Sequence, residues 1–145
     1  MPSPEIDVPE GYANSVSASA FINHVGRLYT KRIIRPDGVE EAWSALRIEP
    51  QHVNSWNLCH AGVLAVLADV GTASPAYLGK EAPPVVVVSM SMQFIRAPKL
   101  GDLVEVCGWM ERRARSLVFT QARGQVSGDV VFTASSVQKV ISSRV

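Results

Sequence analysis

Residues 54–70 read NSWNLCHAGVLAVLADV, and this stretch decides the fold. From His60 to Val70 the segment is apolar except for one charge, that of Asp69. Burying a carboxylate costs several kcal/mol unless something compensates it, so Asp69 needs a reason to be there. Asn54, Asn57 and His60 add polar groups at the start of the same segment. The segment is therefore a candidate for both the core and the functional site.

The stretch from His60 to about Leu78 predicts the one long helix of the chain. Ala, Leu, Val and Gly occupy nearly every side of its helical wheel, which is typical of a buried helix rather than an amphipathic surface helix. A segment of this length is too long for a single strand. Gly79 is suited to the C-terminal cap of this helix.

Strand patterns lie on both sides of the predicted helix. Upstream, residues 21–35 predict a short helical turn and a strand, the PDG turn follows at 36–38, and residues 40–50 complete a hairpin. Downstream, four strands are predicted, at 85–95, 103–113, 116–126 and 130–141. Because the connections are short, we expect antiparallel neighbours. A sheet that curls around the central helix would bury both.

Alternation in the strand 85–95 predicts which side chains share a face. We expect one face to carry Val86, Val88, Met90, Met92 and Phe94, and the other face to carry Ser89, Ser91 and Gln93.

Bulk properties indicate a single globular domain. The chain has 145 residues, of which 47% are hydrophobic and 19% charged. Residues 1–15, with three prolines, predict a flexible leader, and residues 16–145 the domain. A net charge of +1 gives no pull toward nucleic acid or membrane. We expect a cytoplasmic location, since neither an export signal nor a membrane span is evident.

Metal chemistry finds no support in the sequence. The two cysteines show no metal or redox spacing, and the three histidines are scattered along the chain. We therefore expect no metal site.

Three motifs in order resemble the PaaI-type acyl-CoA thioesterases of the hotdog-fold superfamily. They are N-x5-H-[GA]-G-x6-D at 54–69, F-[IL]-R-x-[PA]-x-x-G-D at 94–102 and RRARSLVF at 112–119. The resemblance covers about residues 40–141. It implies an α+β hotdog fold, a curled antiparallel sheet wrapped around one long central buried helix. It also implies hydrolysis of acyl- or aryl-CoA to free acid and coenzyme A, with no cofactor besides the coenzyme A of the substrate.

The same resemblance implies roles for individual residues. Asp69 matches the catalytic acidic position of the central helix, and Ala61 matches the first glycine of His-Gly-Gly, whose N–H polarises the thioester carbonyl. Asn54 matches the asparagine that places the nucleophilic water or the substrate. The sequence departs from the pattern at His-Ala-Gly and at Val87, where some members carry Ser or Thr. Ser89, expected on the same face as Val87, is the candidate replacement.

Thioester hydrolysis needs donors for the developing oxyanion and a carboxylate that attacks or activates water. The N–H groups of Ala61 and Gly62 at the helix start suit the first task, and Asp69 suits the second. Ala61 and Asp69 are about 12 Å apart along a helix, whereas reacting groups must approach within about 3–3.5 Å. Two antiparallel helices in a symmetric dimer would bring each start to the partner's Asp69. We therefore expect a homodimer, or a tetramer of such dimers, with sites at the subunit interface.

Several side chains also fit structural roles. Asp69 fits a buried structural residue bonded to a neighbouring hydroxyl or N–H, and Asn54 and Asn57 fit turns. His60 fits capping and loop orientation better than general-base catalysis. A Cys59–His60 nucleophile is disfavoured, because sequence neighbours seldom point at one another.

Five basic residues are candidates for holding the phosphates of coenzyme A, with an ordinary solvated strand end as the equal alternative. They are Arg96, Lys99, Arg112, Arg113 and Arg115.

Two other functions stay open. A hotdog dehydratase of acyl thioesters would be expected to use a His with a carboxylate, which a lone helix Asp argues against. A non-catalytic acyl-CoA-binding module would bind acyl-CoA without turnover that depends on Asp69.

Overall fold

The structure is a computed structural model that describes residues 7–14, 16–78 and 84–141. The described residues form one antiparallel sheet and two α-helices, α1 (Ala20–Val25) and α2 (Ala61–Ala73). The strands are β1 (Ala13–Asn14), β2 (Tyr29–Ile34), β3 (Glu40–Arg47), β4 (Val85–Phe94), β5 (Leu103–Ala114), β6 (Leu117–Val126) and β7 (Asp129–Val140). Short 3₁₀ helices cover Pro50–His52 and Ser74–Tyr77.

The sheet has the order β1-β2-β3-β5-β6-β7-β4, with every pair antiparallel. Its inner face packs against α2, which contacts strands β3 to β7. The predicted hairpin is β2–β3, in which Tyr29 pairs with Ala45. The predicted turn after β6 places Ser127 and Gly128 at φ values of 49° and 84°, the left-handed pair that a two-residue hairpin turn requires. The curled sheet around one long helix is confirmed.

The long helix begins as predicted and ends in two steps. His60 is its N-cap, α2 runs to Ala73, and the 3₁₀ turn Ser74–Tyr77 continues it. Pro75 explains why the α-helix ends here, since proline has no backbone N–H to donate and its ring clashes with the carbonyl group four residues earlier. The predicted cap at Gly79 lies outside the described residues.

The core lies between α2 and the inner face of the sheet. Its largest buried side chains are Leu46, Ile48, Leu64, Leu67, Val104, Val106, Val131 and Phe132. The helix approaches the sheet closely at Gly108, where an added Cβ would overlap the carbonyl oxygen of Gly71.

On the outer face, Tyr12 packs with Tyr29 and Ala45, next to the short strand β1. The sequence pattern does not mark this strand, and the division of the chain at residue 15 stays a prediction.

The strand β4 is not the neighbour of β5, contrary to the expectation from its short connection. It pairs with β7 at the edge of the sheet. The connection from β4 to β5 crosses the end of the sheet and does not form a tight turn, because its backbone is hydrogen-bonded to segments before α2. Pro98 O accepts from Cys59 N (2.7 Å), and Gly101 N donates to Ile48 O (2.8 Å).

A β-bulge at Val88 changes the faces predicted for β4. Val87 pairs with Gln138 and Ser89 with Val137, so Val88 has no partner of its own on β7. Paired residues share a face of the sheet, and successive residues of β7 point to opposite faces. Gln138 is buried on the inner face, so its partner Val87 faces α2, whereas Ser89, the partner of Val137, faces away. The predicted shared face of Val87 and Ser89 is therefore wrong. The same shift places Val86 opposite to the inner-facing Met90 and Met92.

Candidate active site

In the single chain, α2 has one buried and one exposed side. Leu64, Leu67, Ala68, Gly71 and Thr72 are buried against the sheet. The exposed side carries the three candidate residues Ala61, Gly62 and Asp69. The expectation that Asp69 is buried is therefore wrong for one chain alone, because no described element of the chain covers this side of the helix.

Asp69 has no structural partner. Among the described residues its carboxylate makes no hydrogen bond or ion pair, and only its backbone carbonyl accepts from Thr72 Oγ1, at 3.3 Å. Partial burial nevertheless removes water from the carboxylate and raises the pKa of Asp69 above its ordinary value. The structure thus gives no support to the alternative in which a neighbouring hydroxyl or N–H binds this carboxylate.

His60 caps the helix, which is one of the roles that the sequence predicts for it. Its Nδ1 accepts from Gly62 N at 2.9 Å, and its carbonyl oxygen accepts from Val63 N at 3.0 Å. In a neutral imidazole this bond places the proton on Nε2. Of the two predicted oxyanion donors, the N–H of Gly62 is taken by the cap. The N–H of Ala61 has no hydrogen-bond partner in the described part of the chain.

Asn54 shapes the loop that leads into α2. Its Oδ1 accepts from Trp56 N (2.9 Å) and Leu58 N (3.2 Å), while its backbone N donates to Leu58 O (2.8 Å). Asn57 completes this turn at a φ of 59°. The Nδ2 group of Asn54 makes no hydrogen bond within the described residues. The structural role of Asn54 therefore uses its oxygen and leaves its two N–H donors available.

Cys59 does not form a Cys–His pair. The side chain is buried, and its Sγ lies 3.6 Å from the carbonyl oxygen of His60. Burial raises the pKa of Cys59 to about 11, so the thiol is protonated at neutral pH. A thiolate nucleophile is therefore disfavoured by both geometry and electrostatics.

The predicted basic residues divide between two ends of the sheet. Arg113 pairs with Val118, which in turn pairs with Gln138 on β7. Arg96 N instead donates to Val131 O at 3.2 Å. The distance along β7 from Val131 to Gln138 is about 23 Å at about 3.3 Å per residue. One chain therefore does not bring these residues into a single cluster.

The two sets of basic residues lie beside opposite ends of the helical segment. Arg96 and Lys99 lie beside the start of α2, since Cys59 N donates to Pro98 O. Arg113 lies beside the other end, where its Nη2 is 3.5 Å from the carbonyl oxygen of Ala76. Arg112 and Arg115 are exposed near Arg113, at the β5–β6 turn.

Two residues near the site were not singled out from the sequence. Gln138 lies beside Val87 on the inner face, is 1% exposed and donates from Nε2 to Ser136 Oγ at 2.7 Å. The sequence feature that could have identified Gln138 is the alternation along residues 130–141, which places Ser136 and Gln138 on one face. Trp56 is 79% exposed, and its signal was its position two residues after Asn54 in a polar turn.

No three His, Cys, Asp or Glu side chains converge as possible metal ligands in the ranges 7–14, 16–78 and 84–141. Across the same ranges, no helix has the length and apolar character needed to cross a bilayer.

The curled sheet around a long helix defines a hotdog fold, and solved structures share it. A mutant of the phenylacetic acid degradation protein PaaI from Thermus thermophilus superposes with a TM-score of 0.69. It is 22% identical, and the match covers 85% of this chain and 100% of that chain. A hypothetical thioesterase protein from Streptococcus pneumoniae, solved with coenzyme A, has a TM-score of 0.66 and 18% identity. That match covers 80% of this chain and 91% of the other.

Sequence comparison identifies the family. Residues 57–132, just over half of the chain, match the model of the Thioesterase superfamily, and the chain therefore belongs to this superfamily. "Putative esterase PA0474" of Pseudomonas aeruginosa is 29% identical over 133 residues, which are 91% of this chain and 96% of the relative. The resemblance to PaaI-type thioesterases of the hotdog fold is confirmed.

Proposed function

We propose that this protein is an acyl-CoA thioesterase that hydrolyses acyl- or aryl-CoA to the free acid and coenzyme A. One observation carries the proposal: the carboxylate of Asp69 and the N–H of Ala61 both lack partners in the described chain, on the exposed side of one helix. A carboxylate and an oxyanion donor are the two groups that thioester hydrolysis needs. Coenzyme A belongs to the substrate, and no further cofactor is part of the proposal.

The proposed site is shared between two subunits. Ala61 and Asp69 of one chain are about 12 Å apart along α2, which is too far for both to reach one carbonyl. A two-fold dimer with antiparallel α2 helices places Ala61 of one subunit opposite Asp69 of the partner subunit. Two sites then form per dimer.

The exposed edge strand supports a second copy as the occupant of this surface. Five apolar side chains on and just after β4 are between 45% and 59% exposed in the single chain, and they are Val86, Val87, Val88, Phe94 and Ile95. An open edge rich in apolar side chains is a surface that proteins normally cover. The incomplete site and the uncovered edge therefore point to the same partner, which is another copy of this chain.

In the proposed mechanism, the thioester carbonyl accepts a hydrogen bond from Ala61 N–H. The partial positive charge at the start of α2 stabilises the oxyanion that develops there. Asp69 of the partner subunit, in its ionised form, either takes a proton from the attacking water or attacks the carbonyl carbon itself. The carbon–sulfur bond then breaks, and the leaving coenzyme A thiolate takes up the proton that Asp69 removed from water or, if Asp69 was the nucleophile, a proton from solvent. In the second case water then hydrolyses the acyl anhydride on Asp69, which releases the free acid and regenerates the carboxylate. Asn54 orients the water or the substrate through its free Nδ2 group.

The basic residues fit this dimer better than they fit one chain. An antiparallel pair places the Arg113 end of one subunit beside the Lys99 end of the other. Arg96 and Lys99 of one subunit, with Arg112, Arg113 and Arg115 of its partner, are then proposed to hold the phosphates of coenzyme A. Ser89 faces away from α2, so the face geometry does not support it as a replacement for a hydroxyl at Val87.

The two free, buried cysteines support a reducing compartment, and the proposal includes a cytoplasmic location.

The test measures thiol release from short-chain, long-chain and aromatic acyl-CoAs by the wild type, Asp69→Asn and a matched control, Asp129→Asn. Asp129 is exposed at the β6–β7 turn, so its substitution keeps the same chemistry away from α2. We expect wild-type turnover to fall at least about 100-fold in Asp69→Asn and to persist in Asp129→Asn. Retained activity in Asp69→Asn would remove Asp69 from the mechanism. Binding of acyl-CoA without turnover in any variant would favour the binding module.

A further inference from the structure

Trp56 is the most exposed aromatic side chain among the described residues, at 79%. It lies in the loop between the 3₁₀ helix Pro50–His52 and α2. An indole with this exposure contributes little to the stability of the fold, because most of its large apolar surface stays in water. An isolated exposed aromatic needs no explanation by itself, so its significance depends on how this loop is held and where it lies.

The loop holds Trp56 in a defined position. Asn54 Oδ1 accepts from Trp56 N, Val53 pairs with Cys59, and Leu58 pairs with Lys99. Leu100 N donates to Asn57 O at 3.4 Å, which ties the tip of the loop to the connection after β4. The indole is therefore presented to solvent from an ordered turn with bonds on both sides.

The position of Trp56 links it to the proposed site. Its backbone nitrogen is 2.9 Å from Oδ1 of Asn54, the residue whose Nδ2 group is proposed to orient water or substrate. His60, which caps α2, follows four residues later. Lys99 is exposed on the adjoining segment and forms no ion pair among the described residues, so a cation lies next to this loop.

We propose that Trp56 binds a planar ring of the thioester substrate by stacking, and so sets substrate specificity at the entrance to the site. This inference rests on the proposed thioesterase function. Aromatic side chains stack on rings that present a flat face. An aromatic acyl-CoA offers two such rings, the acyl group and the adenine of coenzyme A, whereas an aliphatic acyl-CoA offers only the adenine. Both rings satisfy the same chemistry.

The experiment separates the two rings with four substrates: benzoyl-CoA, hexanoyl-CoA, S-benzoyl-pantetheine and S-hexanoyl-pantetheine. kcat/KM is measured for the wild type, Trp56→Leu, Trp56→Phe and a control, Trp109→Leu. Trp109 lies on the outer face of β5, where its Nε1 donates to Glu111 Oε1 at 2.7 Å. We expect Trp56→Leu to lower kcat/KM about tenfold for the substrates that carry the recognised ring, which corresponds to about 1.4 kcal/mol of lost stacking. Trp56→Phe keeps most of the activity, and Trp109→Leu keeps all of it.

The pattern of losses identifies the ring. A loss of kcat/KM confined to the two benzoyl substrates identifies the acyl group as the ring that Trp56 binds. A loss confined to the two CoA substrates identifies adenine. Changes below about twofold for all four substrates, or an equal loss that includes S-hexanoyl-pantetheine, would overturn the proposal. A change of oligomeric state in Trp56→Leu, measured by size-exclusion chromatography, would also overturn it, because Trp56 would then be a subunit contact.

A binding measurement keeps this inference separate from the catalytic one. Coenzyme A and S-benzyl-coenzyme A, a thioether that has no scissile thioester, are titrated against tryptophan fluorescence. We expect at least one of them to quench the wild type and the Trp109→Leu control, and to lose most of that signal in Trp56→Phe. Quenching that depends on Trp56 would stand even if Asp69→Asn kept full turnover. Equal quenching in Trp56→Phe and wild type would contradict the role of Trp56, whatever the outcome for Asp69.

Discussion

The Nδ1 atom of His60 lies 2.9 Å from the backbone nitrogen of Gly62, and this bond decides which N–H of the helix start is free. The cap satisfies Gly62, and among the described residues it leaves Ala61 as the unpaired donor at the first position of α2. The same bond holds the imidazole at the start of the helix, so the role we propose for His60 is to orient the backbone of the site. The proposed oxyanion contact is therefore one N–H from Ala61.

Ala61→Pro removes this one N–H with little cost to the fold. Proline is tolerated at the first helical position, and His60, at φ −62° and ψ 136°, already has the extended conformation that precedes proline. We expect kcat/KM to fall about 100- to 1,000-fold, the effect of losing one oxyanion donor, with the melting temperature nearly unchanged. Ala61→Ser, which keeps the N–H, is the control and should stay active. A fully active, folded Ala61→Pro protein would rule out the contact.

Asn54→Asp separates the structural role of Asn54 from its proposed functional role. The aspartate keeps an oxygen that can accept from Trp56 N and Leu58 N, but it has no N–H to donate. We expect thermal unfolding close to that of the wild type and kcat/KM reduced at least about tenfold, the loss of one hydrogen bond to a reacting group. Asn54→Ala should lose stability as well, by about 1 kcal/mol per bond. Full activity in Asn54→Asp would show that Asn54 stabilises the turn and has no role in catalysis.

The pH dependence of activity should report the raised pKa of Asp69. Because removal of water raises this pKa and the mechanism uses the ionised carboxylate, kcat/KM is expected to fall on the acid side with an apparent pKa above the ordinary value of about 3.9. The measurement is a kcat/KM profile between acidic and neutral pH. An acid limb at or below the ordinary Asp value would contradict the assignment.

The same shift predicts how stability depends on pH. The folded state binds this proton more tightly than the unfolded chain does. The stability that the protonated group contributes is therefore present below the unfolded pKa and lost as pH rises through the folded pKa. Asp69→Asn is neutral at every pH, so its melting temperature should exceed that of the wild type at pH 7 and approach it in acid. A lower melting temperature for Asp69→Asn at pH 7 would contradict this sign.

Gly108→Ala tests the close approach of helix and sheet that positions α2. The added Cβ would overlap the carbonyl oxygen of Gly71, which is backbone and cannot rotate away. We expect the free energy of unfolding in urea to fall by about 3 kcal/mol or more. Gly38→Ala is the control, because its φ of 86° is strained for alanine but the new Cβ would meet no heavy atom within 4 Å beyond the adjoining residues of the chain. It should cost about 1 kcal/mol, and an equal loss in both variants would argue against the close approach.

Local signals made most of the fold predictable. The turn at Ser127 and Gly128, the hairpin before the helix and the helix start at His60 each depend on neighbours in sequence. The place of β4 beside β7 depends instead on backbone bonds between distant segments, such as Cys59 to Pro98. The bulge at Val88 was hidden because four consecutive valines give no sign of which one lacks a partner.

The relative positions of the candidate residues within one chain were predictable in part, whereas their catalytic roles stay predictions. Asn54, His60, Ala61 and Asp69 lie along one loop and one helix, so sequence spacing places them correctly relative to each other. The separation of Arg96 from Arg113 follows from strand order, which sequence spacing does not reveal. Asp69 is exposed in the single chain, and its coverage in the proposed dimer depends on the surface of a second chain, which no pattern within one sequence describes.

The central claim is that each site combines Ala61 of one subunit with Asp69 of its partner. Complementation tests it directly: Ala61→Pro and Asp69→Asn proteins, each inactive alone, are unfolded together, refolded and assayed for thiol release. Random pairing makes half of the dimers hybrid, and each hybrid has one site free of both substitutions, so activity should return to about a quarter of wild type. If each site instead used Ala61 and Asp69 from the same subunit, every site would carry one substitution, and the mixture would stay as inactive as its components.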